Sequence, residues 1–369
     1  MPLIRKSLLA LVLVWVAACS QATRGEARSP RGQPVLTSAP IPPNAWPIRS
    51  SEYVDLWLHG FAMLTGDTSH VPLFERGYRD KMLAIRHQRN IYTLLDANQE
   101  RLSRGFVDNP ALVNAEFAIF QFNSFEQVVQ VGTLFIQNEG YPPGFIDART
   151  EHLLSVFQQG FKTVADRDWL RVFLQSLQDE QTRFYAAYWT SEETARSAAR
   201  QTLDSMWTAT YRARFFRYLR PARLADGSFI LSLPLGGEGR SVTDPQYGNA
   251  VAVTFPASPA TAVDAIYVFA HEVIASVSGE SVSKHATPAE VKSGAAERYG
   301  PAADVRGGAL LLQRVAPELV QGYMRYYMEV AAANPPAGDL TSAFAATFPI
   351  SDAIRNGIEY QLGLMLGGI

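Results

Sequence analysis

The chain reads as an α+β fold, mostly α-helical, with a small β-sheet packed by helices. Three observations predict it. Residues 51–220 carry helix start and stop signals almost without interruption. Two short runs rich in β-branched and aromatic residues follow Pro221. The stretch AIYVFAHEVIASVSG, residues 265–279, is apolar nearly all round apart from His271 and Glu272. A helix without a polar face is buried within a domain, so this one and the sheet should share a core. A hydrophobic content of 47% with 18% charged residues provides enough apolar surface for such a core.

The first eighteen residues have the layout of a secretory signal: Arg5 and Lys6, an apolar run from Leu8 to Val16, and small residues before Cys19. That run is too short for a transmembrane helix. Val16-Ala17-Ala18-Cys19 resembles the bacterial lipobox, which implies acylation of Cys19 after cleavage just before it. Ser20 stands where an aspartate would imply retention at the inner membrane, so the resemblance implies the periplasmic face of the outer membrane. Cys19 is the only cysteine. An acylated chain then has no thiol or disulfide, and a metal site must use His, Asp and Glu. Residues 19–50, rich in Ser, Pro, Arg and Gly, read as a flexible tether. The formal net charge of −2 becomes −4 when Arg5 and Lys6 leave with the signal. That balance argues against a nucleic-acid partner, and the expected membrane contact is the lipid.

Within 51–220 the helices are punctuated by caps. Ser51-Glu52 opens the first and Gly66 closes it; Pro72 and Gly105 bound the next stretch. Asn109-Pro110 is a cap followed by a first-turn proline. Phe117, Phe120, Phe122 and Phe125 are read as core packing. Between 221 and 369 come a strand at 227–235, a loop GGEGRSVTDPQYG, and a second strand at 249–256. The loop lacks the spacing of a phosphate-binding fingerprint and contains an acid, so it reads as a strand connection. Ser258-Pro259 starts the apolar helix, and further helices follow to the end.

The apolar helix carries the chemistry. Burying His271 beside Glu272 costs several kcal/mol unless they are paired, hydrogen-bonded or metal-bound. His271-Glu272 opens like the H-E-x-x-H helix of zinc peptidases, in which histidines at i and i+4 share a helical face. A strand before that helix also occurs in those enzymes, with an exposed edge that aligns substrate. The order of helices, small sheet, His-Glu helix and further helices resembles the gluzincin-like (zincin) proteins over about 220–330. The resemblance implies Glu272 as general base, His271 as a zinc ligand, and a third ligand from a later helix, matched by Glu297 or less well by Glu290. The chain departs from the motif at Ala275, which has no donor atom.

Three readings stay open: a zincin-like fold without its catalytic metal, a rearranged site of His271, His285 and Glu297, or a buried His-Glu pair in an unrelated helical fold. No cofactor is expected, with zinc reserved for a site completed from outside the helix. His59, flanked by apolar residues, reads as a satisfied core histidine, and His70, His87 and His152 as surface or cap residues. The functional expectation is an envelope lipoprotein with a degenerate metallopeptidase-like site. Its rival is a non-enzymatic lipoprotein that holds a polypeptide in a helical groove.

Overall fold

A computed structural model describes residues 45–66, 69–244, 248–334 and 338–367. Cys19 and the lipobox lie outside the described residues. The expected class holds: many helices surround a four-stranded mixed sheet.

In the first half, α1 (Glu52–Leu64), α2 (Tyr78–Gln88), α3 (Leu94–Ala97) and α4 (Gln99–Asp108) precede a 3-10 segment, Pro110–Gln121. Then come α5 (Phe125–Gln137), α6 (Ala148–Gly160), α7 (Val164–Glu180), α8 (Ala186–Ala195), α9 (Ser197–Met206) and α10 (Arg212–Leu219). The Asn109 side chain accepts from the Ala111 N–H, as the cap reading requires. Two single π-turns, Gln181–Tyr185 and Trp207–Tyr211, interrupt what the sequence presents as continuous helix.

The sheet has strands β1 (Ile48–Ser50), β2 (Ser228–Ser232), β3 (Arg240–Val242) and β4 (Ala250–Thr254) in the order β1-β2-β4-β3. The first three in that order run parallel and β3 pairs antiparallel with β4. The two expected strands are therefore neighbours, each shorter than the pattern suggests. Two edges were not foreseen. Residues 45–50, assigned to the tether, belong to the fold. Trp46 is fully buried, its indole N–H donates to the Leu224 carbonyl, and the backbone that follows pairs with β2. The glycine-rich loop also holds β3, whose three residues are too few to show an alternation.

The apolar helix is α11 (Asp264–His285), with every residue from 265 to 274 buried. By length and composition it could cross a membrane, but it is mostly enclosed by protein and serves as the core helix. Its Phe269 ring stacks on Phe229 of β2 with centroids 4.5 Å apart. The rings of Trp207 and Trp46 meet it edge-on, at 5.0 Å and 5.2 Å. Burial of such a side chain contributes about 1.5–3 kcal/mol. These contacts fix α11 across the sheet. After it come α12 (Pro288–Lys292), α13 (Ala295–Val315), α14 (Val320–Val330), α15 (Leu340–Thr347) and α16 (Asp352–Leu366). α13 runs through Pro301, and the chain turns instead at Ala316-Pro317.

Candidate functional site

Midway along α11, His271 and Glu272 are both buried. Successive helical side chains diverge by about 100°, yet these two curl together, with His271 Nδ1 at 3.1 Å from Glu272 Oε1. The imidazole stacks on Tyr327 of α14, centroids 5.3 Å apart and planes 22° from parallel. From the sheet side, the backbone N–H of Gly239 donates to the same Glu272 Oε1 at 3.1 Å. A side chain at 239 would not fit: its Cβ would lie 2.5 Å from the Ala252 carbonyl oxygen and 2.7 Å from Glu272 Cγ. Glycine is therefore needed for the loop to close on the carboxylate.

That loop is pinned along its length. The Gly236 and Glu238 N–H groups donate to the Leu73 and Pro72 carbonyls, and the Tyr327 hydroxyl donates to the Gly237 carbonyl. Arg240 bonds both Glu116 at 2.9 Å and Glu238 at 2.6 Å, with its guanidinium over the Phe117 ring. The glycine loop thus connects strands, as expected, and the group it binds is a carboxylate of its own chain.

Charge in this cluster is uneven. Burial alone would lower the His271 pKa, but the Glu272 carboxylate, helped by Asp304 and Glu238, outweighs it and raises the value. Burial would raise Glu272; the His271 bond and charge, then Arg240, reverse this and hold it low. Both directions favour the charged pair, in which the imidazolium Nδ1–H donates to the carboxylate. Asp304 of α13 is pushed up to about 7 by burial, opposed by His271 and reinforced by Glu272 and Glu238.

Asp304 is the residue that the sequence reading missed. It lies on the helical face of Glu297, seven residues and about two turns further along. The available signal was Gly307-Gly308: at Gly307 a Cβ would stand 2.6 Å from Ser278 Oγ and 3.1 Å from Ile274, which marks where α13 crosses α11. Glu297 is exposed in the first turn of α13, and His285 is exposed at the end of α11, roughly 21 Å along the axis from His271. Neither is brought to His271. Glu290 caps α12 through Thr287.

The expected edge is also changed. β4 is paired on both sides, so the strand before the His-Glu helix has no free edge. The outer strand is β3, and at Arg240 it is tied to the 3-10 segment through Glu116. Ala275 offers no donor, and among the described residues no three His, Cys, Asp or Glu side chains are grouped to hold a metal; His271 Nδ1 is bonded to Glu272, and its Nε2 has no hydrogen bond there.

His59 is a satisfied core histidine, as expected. Its ring bonds Tyr78 at 3.0 Å and Glu180 at 3.1 Å, and Glu180 is held by Arg86 through both oxygens. His70 and His87 are exposed, while His152 approaches Asp244 at 3.4 Å. Comparison of the chain with protein-family models, curated proteins and solved structures returned no match.

Proposed function

We propose that this chain is an envelope lipoprotein, anchored through Cys19, whose folded part has a zincin-like arrangement with a non-catalytic His-Glu pair. The carrying observation is the closure of Glu272: its Oε1 takes both the His271 imidazolium and the Gly239 N–H, beneath a loop pinned at four further points. A general base needs a free lone pair facing a water or substrate; the Glu272 carboxylate has Oε1 taken up within the protein and also bonds the Ser241 side chain. In this reading Glu272 serves as an internal counter-charge that clamps the glycine loop to the core helix. The parallel strands leading into α11 and the antiparallel strand at the sheet edge support the zincin-like reading.

A binding role is the second reading, favoured by a cleft of about 980 Å³ between α4 and the start of α7, which could hold a polypeptide. Two measurements test the first. Purified protein should carry no stoichiometric zinc and show no peptidase activity that Glu272→Gln abolishes. Tightly bound zinc that disappears in His271→Ala would overturn the non-catalytic reading. Cys19→Ala should move the protein out of the membrane fraction, because the lipid that would hold it there is then absent; retention would remove the lipoprotein reading.

A further inference from the structure

One joint between the helical half and the sheet is built on Asp55, a fully buried residue of α1. Its Oδ2 accepts from the Trp189 indole N–H of α8 at 2.9 Å. The same oxygen accepts from the Leu233 backbone N–H, just past the end of β2, at 3.2 Å. Three elements therefore meet on one oxygen. We propose that this joint is closed by a proton on Asp55, and that loss of the proton loosens the end of β2 from α1, which makes the fold responsive to pH. The residues involved are separate from the His271–Glu272 pair, and the proposal does not rest on the function proposed above.

The other oxygen decides the protonation state. Asp55 Oδ1 is buried and has no hydrogen bond among the described residues, nor have the equally buried Ser232 Oγ and Tyr185 hydroxyl. Ser232 adjoins the carboxyl, immediately before Leu233 in the chain. Tyr185 closes the π-turn and feels the Asp55 charge. An ionised carboxylate only accepts, so a buried one needs donors at both oxygens; without them the charge is left uncompensated. A neutral carboxyl turns Oδ1 into an O–H donor, with Ser232 Oγ as its acceptor. Glu180 is the opposite case at the same depth. Arg86 bonds both of its oxygens, His59 and Thr93 add to them, and together they hold its pKa low against burial.

No group facing Asp55 does for it what Arg86 does for Glu180. On its own helix, His59 is one turn further on, with its pKa lowered by burial and its ring engaged by Tyr78 and Glu180. Tyr78 of α2, Tyr185, and Tyr188 of α8 present hydroxyls whose pKa values burial raises. Glu75 and Glu192 add negative charge on the side of Tyr188. The cation acting on Asp55 is Arg196, and it is held by Glu192 and the Phe255 carbonyl. Burial accordingly raises the Asp55 carboxyl from 3.8 to about 7, against the opposite pull of Ser232, Leu233, Trp189 and Arg196. Between those values the folded chain keeps a proton that the unfolded chain releases. Stability is then greatest at low pH and falls as pH rises through about 7.

The test is infrared difference spectroscopy on the full chain, wild type minus Asp55→Asn, titrated from about pH 5 to about pH 9. The carbonyl band of a neutral carboxylic acid should be present at the acid end and vanish with a midpoint at about 7. Other buried acids cancel in the difference. Trp189→Phe removes a hydrogen bond that favours the ionised form, so the midpoint should rise by about one unit; a role in packing alone would leave it in place. Hydrogen exchange over residues 228–235, corrected for its intrinsic pH dependence, reads the joint itself. Protection should fall about tenfold between about pH 6 and 8 in the wild type and persist in Asp55→Asn, where an amide N–H stands in for the bound proton. If Asp55→Asn folds poorly, wild type against Trp189→Phe isolates the same band, since the other acids titrate alike in both. Absence of the neutral band at the acid end, a midpoint unmoved in Trp189→Phe, or equal loss of protection in wild type and Asp55→Asn would overturn the proposal.

Discussion

Two buried histidine–glutamate pairs occupy the two halves of the molecule, and they are solved differently. In the helical half, burial lowers the His59 pKa and leaves the ring neutral, so Nε2–H donates to Glu180 while Nδ1 accepts from the Tyr78 hydroxyl. The positive charge comes from Arg86, which also reaches Asp96 at 2.8 Å. Both ring nitrogens and both Glu180 oxygens are used. In the sheet half, the raised His271 pKa favours charge on the imidazole itself, only its Nδ1 is bonded, and acids surround it. The lesson is that a satisfied pair distributes its charge to an arginine and becomes a structural joint. A pair that keeps its charge on the imidazole depends on a second element, here the glycine loop, to complete it.

The largest test of that difference is the loss of each glutamate. Glu180→Ala leaves Arg86 buried without its main partner, and breaking such a pair costs about 3–5 kcal/mol. Glu272→Ala should cost less, about 1–3 kcal/mol, because His271 can shed its proton and one N–H is orphaned. Urea unfolding of both variants gives the ratio. An equal or larger cost for Glu272→Ala would mean that the two pairs are not different in kind.

Next in size is Gly239→Ala. The added methyl meets the Ala252 carbonyl, which is backbone and cannot swing aside. Overpacking of this sort costs about 1–3 kcal/mol. Glycine to alanine at the open position Gly279, where a Cβ meets nothing within 4 Å, should be neutral or slightly stabilising. Similar melting temperatures for the two variants would deny the loop its clamping role.

How much of this was legible follows from range. The class, the two strands and the buried helix depend on local pattern, and 265–279 announced its burial through the absence of charge. His59 was read correctly because apolar neighbours on both sides leave a histidine no exit. β1 was hidden, since three residues after a proline-rich segment carry no alternation and only the distant Leu224 and β2 reveal their role. Asp304 was hidden for a related reason. The face of α13 that meets α11 could be read from spacing, but the height at which the helices cross depends on Gly307 and Ser278, which are 29 positions apart in the chain. Glu297, exposed in the first turn of α13, stands about two turns before Asp304 on the same face.

Proton linkage sharpens the comparison further. Asp304 has its carboxyl raised from 3.8 to about 7, so the folded state binds the extra proton between those values. Its contribution is therefore greatest at low pH and is lost as pH rises through about 7. His271, also raised, contributes below its ordinary 6.5 and loses that contribution at higher pH, in the same direction. His59 is lowered and works the opposite way. Asp304→Asn keeps the neutral form at every pH, so its melting temperature should exceed the wild-type value near pH 8 and fall less between about pH 5 and 8. An unchanged slope would separate Asp304 from the His271 cluster.

The smallest expected effect is also the most specific. Ala275→His places a second imidazole at i+4 from His271, on the same helical face. Position 275 is partly exposed, so the substitution alone should change stability by no more than about 0.5 kcal/mol. Zinc should then matter. With His271 and the introduced imidazole on one face and Asp304 on the neighbouring helix, the variant would have three donors of the kinds zinc accepts. At a zinc concentration about a hundred times Kd, stabilisation would approach 2.7 kcal/mol and be reversed by chelator. The wild type should show no such shift. The double variant Ala275→His, Asp304→Asn should lose most of it, whereas Ala275→His, Glu297→Gln should keep it. If zinc stabilises the double variant lacking Asp304 as strongly, the third donor is another group and the crossing of α11 with α13 does not set the site. If zinc leaves Ala275→His unchanged, the Glu272–Gly239 clamp holds His271 too firmly for it to turn toward a metal, and the non-catalytic reading gains its most direct support.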